Sequence, residues 1–256
     1  MKSILVILLS LFLVCTYSFS YAQEKTLIFA ADPSYPPFEV YDPSTSSFTG
    51  YDIEIAEALC QQMAVNCEFI PVVAPDLLPG LNEGKYDAAM KALTISPVRQ
   101  KLVSFTNPYY SSDGSFVALA AANLDLSPKK LANLSIGVQQ TSVFENYLHS
   151  KYKDQVAIKP YVHLEEALEA LSTGEINIVL GDTPLIKHWL AGESPGAYKI
   201  IATVAPDKNI VGDGYGIAVH KDNKKLLNAL NKALDEIKKN GTYNKITQKY
   251  FGQTKQ

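Results

Sequence analysis

The chain predicts an α/β protein built as two similar lobes, each a mainly parallel sheet flanked by helices. Three observations carry that expectation. Strand-like and helix-like segments alternate almost throughout, the pattern of a parallel sheet covered on both faces. Two stretches, Tyr51 to Lys91 and Ser142 to Gly181, each run helix, strand, helix, buried strand. Each stretch also places a turn of one kind before its last strand, Gly84-Lys85-Tyr86-Asp87 in the first and Gly174-Glu175-Ile176-Asn177 in the second.

The elements follow in order. Thr26 to Ala31 is a short apolar strand. Asp52 to Met63 reads as a helix because Ile53, Ala56, Leu59 and Met63 recur on one face. Glu68 to Val73 is a strand, Leu77 to Asn82 a short helix, and Asp87 to Lys91 a buried strand. Ser115 to Ala121 is β-like, and Ser127-Pro128 opens a short helix with serine as cap and proline at the first position. Then come a strand at Ser135 to Gln139, a helix at Ser142 to Lys151, a strand at Val156 to Tyr161 and a helix at Leu164 to Ser172 that Gly174 ends. Ile176 to Gly181 is a buried strand and Thr183 to Ala191 a helix. A long amphipathic helix, Asn223 to Lys239, stops at Asn240-Gly241, and a last helix covers Tyr243 to Tyr250.

The first 22 residues read as an export signal rather than part of the fold. Lys2 supplies the positive start, and Ile4 to Val14 is an apolar run too short to span a bilayer comfortably. Ser20-Tyr21-Ala22 then places small residues where a signal peptidase cleaves. Acylation of Cys15 is a weaker reading, because bulky Val14 precedes it. Cleavage after Ala22 leaves 234 of the 256 residues, enough for one large or two ordinary domains. No later stretch approaches 18 apolar residues, so a soluble exported protein is expected. Lysines are interspersed with acids and the formal charge is −3, so nucleic acid is not an expected partner. In an exported protein Cys60 and Cys67, at the end of a helix and its turn into a strand, are expected to form a disulfide. The four histidines are scattered without ligand spacing, so neither a metal nor a cofactor is expected.

Arg99 is the only arginine in the chain. A guanidinium grips a carboxylate through two parallel hydrogen bonds, which an ammonium cannot match. Arg99 follows a buried strand through Thr94-Ile95-Ser96-Pro97-Val98, and strand ends of open α/β sheets are where ligands bind. The alternative is an ordinary surface arginine. Three further clusters occupy strand ends. Asp32-Pro33-Ser34-Tyr35 through Glu39 offers carboxylates and an aromatic ring. Lys91-Ala92-Leu93-Thr94 supplies main-chain groups and a hydroxyl, and Gln139-Gln140-Thr141-Ser142 opens a helix whose amides favour an anion. Asp182 sits at the mouth of another buried strand, where it either faces a ligand or caps the helix that Pro184 begins. An anion site and a cation site from opposite lobes suit a free α-amino acid, whose carboxylate and ammonium must both be paired when water is excluded.

These motifs resemble the polar amino-acid-binding proteins of ABC importers, solute-binding protein family 3, over nearly the whole mature chain. The marks are Asp32-x-x-Tyr35-x-Pro37-Phe38, Gly50-Tyr51-Asp52-Ile53, Gly84-x-Tyr86-Asp87-Ala88, Thr94-Ile95-Ser96-x-x-Arg99-Gln100 and Phe105-x-x-Pro108-Tyr109-Tyr110. Further on come Ile136-Gly137-Val138, Gly181-Asp182 and Gly241-Thr242-Tyr243-x-x-Ile246. The resemblance implies a type II periplasmic binding protein with a ligand cleft between two lobes joined by a two-strand hinge. The first lobe would comprise residues 23–110 and 210–256, and the second 111–209. It implies that Arg99, with Thr94 and the Ser142 main chain, holds the ligand carboxylate. Asp182, with the Ala92 carbonyl, would hold the ammonium, Tyr35 would pack on the ligand side chain and Asp32 would meet its polar end. A free L-amino acid and a membrane permease are the implied partners of a monomeric receptor, and Cys60 and Cys67 match a disulfide of the basic-amino-acid branch.

Five positions depart from the family pattern. Lys91 and Ala92 stand where many relatives carry small or hydroxyl residues, Ala74 where they place a second aromatic, Thr141 where they have glycine, and Val143 where they have a second hydroxyl. An inward Lys91 would repel a cationic ligand. Arginine or another basic amino acid is the leading expectation, from Asp32 and Tyr35, and glutamine is the alternative. An enzyme such as a periplasmic dehydratase would need an acid or base in the cleft, for which Glu39 and Lys91 are the candidates. A signalling module derived from a binding protein is a further alternative.

Overall fold

The computed structural model describes residues 26–124, 126–152, 155–204 and 212–252. The expected export signal, Cys15 and the 209/210 lobe boundary lie outside them. The first part of the chain forms β1 (Thr26–Ala31), β2 (Ser34–Tyr35), β3 (Glu39–Asp42), β4 (Ser47–Thr49), α1 (Tyr51–Met63), β5 (Asn66–Pro71), α2 (Ala74–Asn82), β6 (Ala88–Met90), α3 (Pro97–Gln100) and β7 (Ser104–Phe105). The middle part forms β8 (Gly114–Leu119), α4 (Pro128–Leu131), β9 (Ser135–Gln139), α5 (Val143–Tyr152), β10 (Ala157–Tyr161), α6 (Leu164–Ser172), β11 (Ile178–Asp182), α7 (Thr183–Gly192) and β12 (Tyr198–Val204). β13 (Ala218–Val219), α8 (Lys224–Lys239) and α9 (Thr242–Phe251) follow.

Two five-stranded sheets result, in the orders β5-β1-β6-β13-β7 and β10-β9-β11-β8-β12. In the first, β1 runs parallel to β5 with Thr26 opposite Asn66, and parallel to β6 with Phe29 opposite Ala88. In the second, β9 runs parallel to β10 and β11. The parallel strands are near-continuous apolar runs because helices cover both faces, as Ala88-Ala89-Met90 and Ile178-Val179-Leu180 illustrate, all buried. Parallel strands end at a common edge, which gathers the residues after β1, β6, β9 and β11. That is the geometric origin of the cleft.

The sheets are less parallel than the alternation predicts. β13 pairs antiparallel with β6 and β7, and β8 pairs antiparallel with β11 and β12. The chain passes from one sheet to the other and back, and each passage brings in strands against the parallel direction. β12 carries no strand period in the sequence, since its burial does not alternate and its ladder shifts register between Ile200 and Ala202. The small sheet β2-β3-β4 went unread because strands of two to four residues carry no period.

Two crossing segments tie the sheets together. Tyr110 and Thr94 each form an antiparallel bridge with Tyr215. Ile95 N–H donates to the Gly214 carbonyl at 2.8 Å, and Gly216 N–H donates to the Leu93 carbonyl at 2.9 Å. Gly214, at φ +96°, lies so close to the first crossing that a Cβ would stand 2.6 Å from the Tyr110 oxygen, so only glycine fits. Under the crossing Phe38, Tyr51, Tyr110, Tyr215 and Phe251 pack ring against ring at 4.7–6.0 Å. Cys60 and Cys67 form the expected disulfide at the far end of α1.

Candidate functional site

Arg99 is delivered by the shortest helix that can present it. Pro97 opens α3, and the Ser96 hydroxyl accepts the Arg99 N–H at 3.3 Å. The half-buried guanidinium donates from Nη1 to the Thr94 carbonyl and from Nη2 to the Thr141 carbonyl, both at 3.1 Å. It therefore reaches from the first sheet to the start of α5 on the second. Burial works against its charged form, and the opposite charge of Asp182 supports it. The α5 start is braced reciprocally: Ser142 Oγ accepts Glu145 N–H at 3.1 Å, and Glu145 Oε2 accepts Thr141 N–H at 2.7 Å.

Asp182 ends β11 and is buried. Its side chain does not cap α7; its two oxygens accept the hydroxyls of Tyr35 and Tyr215. Burial raises its pKa, and the tyrosine hydrogen bonds together with the charges of Lys91 and Arg99 pull it back. The sequence places Tyr215 in a turn-and-aromatic segment between the halves and not at the site, because the visible signal of the glycine-rich second crossing is a turn.

Lys91 points inward. Only 6% exposed, it places Nζ 3.4 Å from the centroid of the Tyr35 ring and donates to Gln139 Oε1 at 2.8 Å. Gln139 is itself held by its Nε2, which donates to the Val162 carbonyl at 2.9 Å. The next residue, Ala92, adopts φ +39°, an uncommon conformation for alanine. Asp52 enforces it: Oδ2 accepts the Ala92 N–H at 2.7 Å and the Tyr109 hydroxyl at 2.8 Å. Burial pushes the Asp52 carboxyl up to about 6. Glu39, equally buried, is raised well above the usual range by burial and by the neighbouring Asp52 charge. The two carboxyls therefore resist carrying two charges at neutral pH.

These groups surround one cavity. Tyr35, Lys91, Ala92, Leu93, Thr94 and Arg99 line it from the first sheet. Gln139, Thr141, Ser142 and Asp182 line it from the second, together with Gln140, Val143 and Phe144; Ala74 also lines it. The remaining volume is about 30 Å³, room for about two waters. Asp32 is not among the lining residues. It is buried behind them, 3.3 Å from His163 Nδ1, and its Oδ1 accepts the Ser34 N–H at 3.1 Å. Ser34 in turn donates to Glu165 Oε1 at 3.1 Å. Asp32 thus faces His163, the residue that precedes α6, and not the cavity; His163 and Glu165 carry no sequence signal beyond ordinary helix-start polarity. Glu39 lies against Asp52 and likewise does not line the cavity.

Chemically, the arrangement offers an anion-gripping fork beside helix amides, a carboxylate opposite it, and an aromatic ring carrying a lysine. A larger, mostly apolar groove of about 380 Å³ between α1 and α8 holds none of this chemistry. Among the described residues no cluster of three metal-ligating side chains occurs, and no helix is long and apolar enough to cross a membrane.

Comparison with known proteins agrees with this fold. Residues 27–253 match the family of bacterial extracellular solute-binding proteins, family 3. The ABC transporter arginine-binding protein 1 of Escherichia coli (strain K12) is 33% identical over 241 residues, covering 94% of this chain and 97% of that one. Two solved structures of an ancestral arginine-binding protein, one bound to arginine and one bound to glutamine, are each 32% identical, cover 89% of this chain and 98% of theirs, and superpose with TM-scores of 0.81 and 0.79. Their two-lobe architecture is the one described above. The chain belongs to the bacterial extracellular solute-binding proteins, family 3.

Proposed function

We propose that this chain is the periplasmic receptor of an ABC amino-acid importer and that it binds L-arginine or another basic amino acid. The observation that carries the reading is the meeting of Arg99 and Asp182, from opposite sheets, at one cavity. Arg99, with Thr94 and the Ser142 amide, would take the ligand carboxylate, and Asp182 the ammonium. Tyr35 would lie along the ligand side chain, and the arginine-binding relatives favour a cationic one. Asp32, behind the lining, would act through the field of its charge rather than by contact. Ligand would stabilise the closed arrangement of the lobes by its higher affinity for that form, and a permease would recognise the closed receptor.

Binding rather than catalysis is the reading that the site supports. Of the two acid–base candidates Glu39 lies away from the cavity, and Lys91 is engaged by Gln139 at 2.8 Å, while Asp182 is held by two tyrosine hydroxyls. Glutamine is the second ligand reading, favoured by the inward Lys91 and Gln139, which present hydrogen-bond donors and an acceptor to a neutral amide.

Calorimetry with the twenty amino acids tests the ligand. With the best of them, Asp182→Asn is expected to lose about 1.5–3 kcal/mol, while the deaminated analogue loses far less. Equal losses for both would remove Asp182 as the ammonium partner.

A further inference from the structure

We propose that Lys91 is a tethered competitor in the side-chain end of the pocket, a specificity-determining residue that lowers the advantage of a cationic ligand over a neutral one. The proposal rests on the amino-acid-receptor reading and adds to it a determinant of side-chain charge. Three observations carry it. The ammonium stands 3.4 Å from the Tyr35 ring centroid, so the cation–π seat on the one aromatic ring expected to cover a basic side chain is already taken. It is anchored there by Gln139, whose own amide is tied to Val162, so the seat is built from both sheets. Lys91 and Tyr35 both line the cavity, so a basic side chain laid on the Tyr35 ring would meet the Lys91 ammonium already there.

The consequence follows from charge. A displaced Lys91 remains buried in the same pocket, where a second cation within a few ångströms is repelled far more than in water. A neutral side chain of the same shape displaces the same stem without that repulsion. An acidic side chain would instead gain an ion-pairing partner. Arginine should therefore lead citrulline, its uncharged isostere, by much less than the acidic surroundings of the pocket alone would give.

The test compares ligand pairs within a single protein sample, so the fraction of folded protein cancels. Arginine and citrulline are titrated calorimetrically into the wild type and into Lys91→Met, which keeps the stem and deletes the charge. The preference for arginine over citrulline is expected to rise at least tenfold in the variant. A preference unchanged within twofold, or one that falls, overturns the proposal. Lys91→Ala, which cannot overpack the site, serves in the same way if the methionine variant does not fold. Should the wild type bind neither ligand, the basic-amino-acid reading fails, and glutamate against glutamine becomes the informative pair. A tenfold loss of glutamate preference in the variant then upholds the role of Lys91, and no change overturns it. If none of the four ligands binds, the amino-acid reading and this inference fall together.

Discussion

The two ends of the pocket are built on opposite principles. At the Arg99 end the guanidinium spends its hydrogen bonds on the Thr94 and Thr141 carbonyls, and among the described residues no carboxylate lies within ion-pair distance of it. At the Tyr35 end the polar groups have side-chain partners: Lys91 with Gln139, and Asp182 with Tyr35 and Tyr215. Main-chain carbonyls orient a cation without neutralising it, so the Arg99 end keeps a net charge to offer an anion. The other end is internally satisfied, and a ligand must exchange partners there. The part of the pocket that would read the ligand carboxylate is thus held ready, and the part that would read its ammonium and side chain is contested by the chain's own side chains.

The contrast can be broken at its strong end first. Arg99→Ala is expected to cost about 2–5 kcal/mol of ligand affinity, the penalty for stranding one partner of a buried charge pair, and calorimetry showing less than a threefold loss would dissolve the distinction. Next comes the support beneath Ala92. A carboxyl raised from about 4 in the unfolded chain to about 6 in the fold binds more protons folded than unfolded. Its contribution to stability is full below pH about 4 and is lost as pH rises through about 6, amounting to about 3 kcal/mol. Asp52→Asn should flatten that decline in denaturant titrations between those pH values, and an unaltered slope would show that Asp52 does not titrate there.

Two smaller effects sharpen the comparison by lying outside it. Replacing Cys60 and Cys67 together by serine should reduce stability by roughly 2–3 kcal/mol, from a short closed loop, with ligand affinity changed less than twofold. A large affinity loss would mean that the far end of α1 is coupled to the cleft. Ser142→Ala should cost about 1 kcal/mol of stability by unbracing the start of α5, measured as a shift in the denaturation midpoint.

Most helices and parallel strands were legible along the chain. β1, β9 and α6 fall where the apolar pattern puts them, α2 begins three residues earlier than expected, and the other long elements differ by a residue or two at their ends. Apolar periodicity reports one face of one element, so it fails where an element is too short or too unevenly buried, as in β2 to β4 and in β12. The cleft residues were legible where a strand end coincided with an unusual residue, the solitary Arg99 above all. Spacing from a motif gives chain position and not side-chain direction: Asp32 follows β1 as expected, and its carboxylate lies beside His163 rather than among the residues that line the cavity.

Local patterning alone therefore specified the alternation, the two repeated halves, the disulfide pair and the strand ends that carry polar chemistry, because each is a relation among near neighbours. Whether Lys91 pointed into the pocket, which groups Asp182 would bond, and that Asp52 would support an alanine in a left-handed turn were settled only when distant segments met. Those outcomes depend on burial and on the partners within hydrogen-bonding reach, and Tyr215 reaches Asp182 from 33 positions away in the chain. A charge's environment is a sum over everything folded around it, and no window of sequence contains that sum.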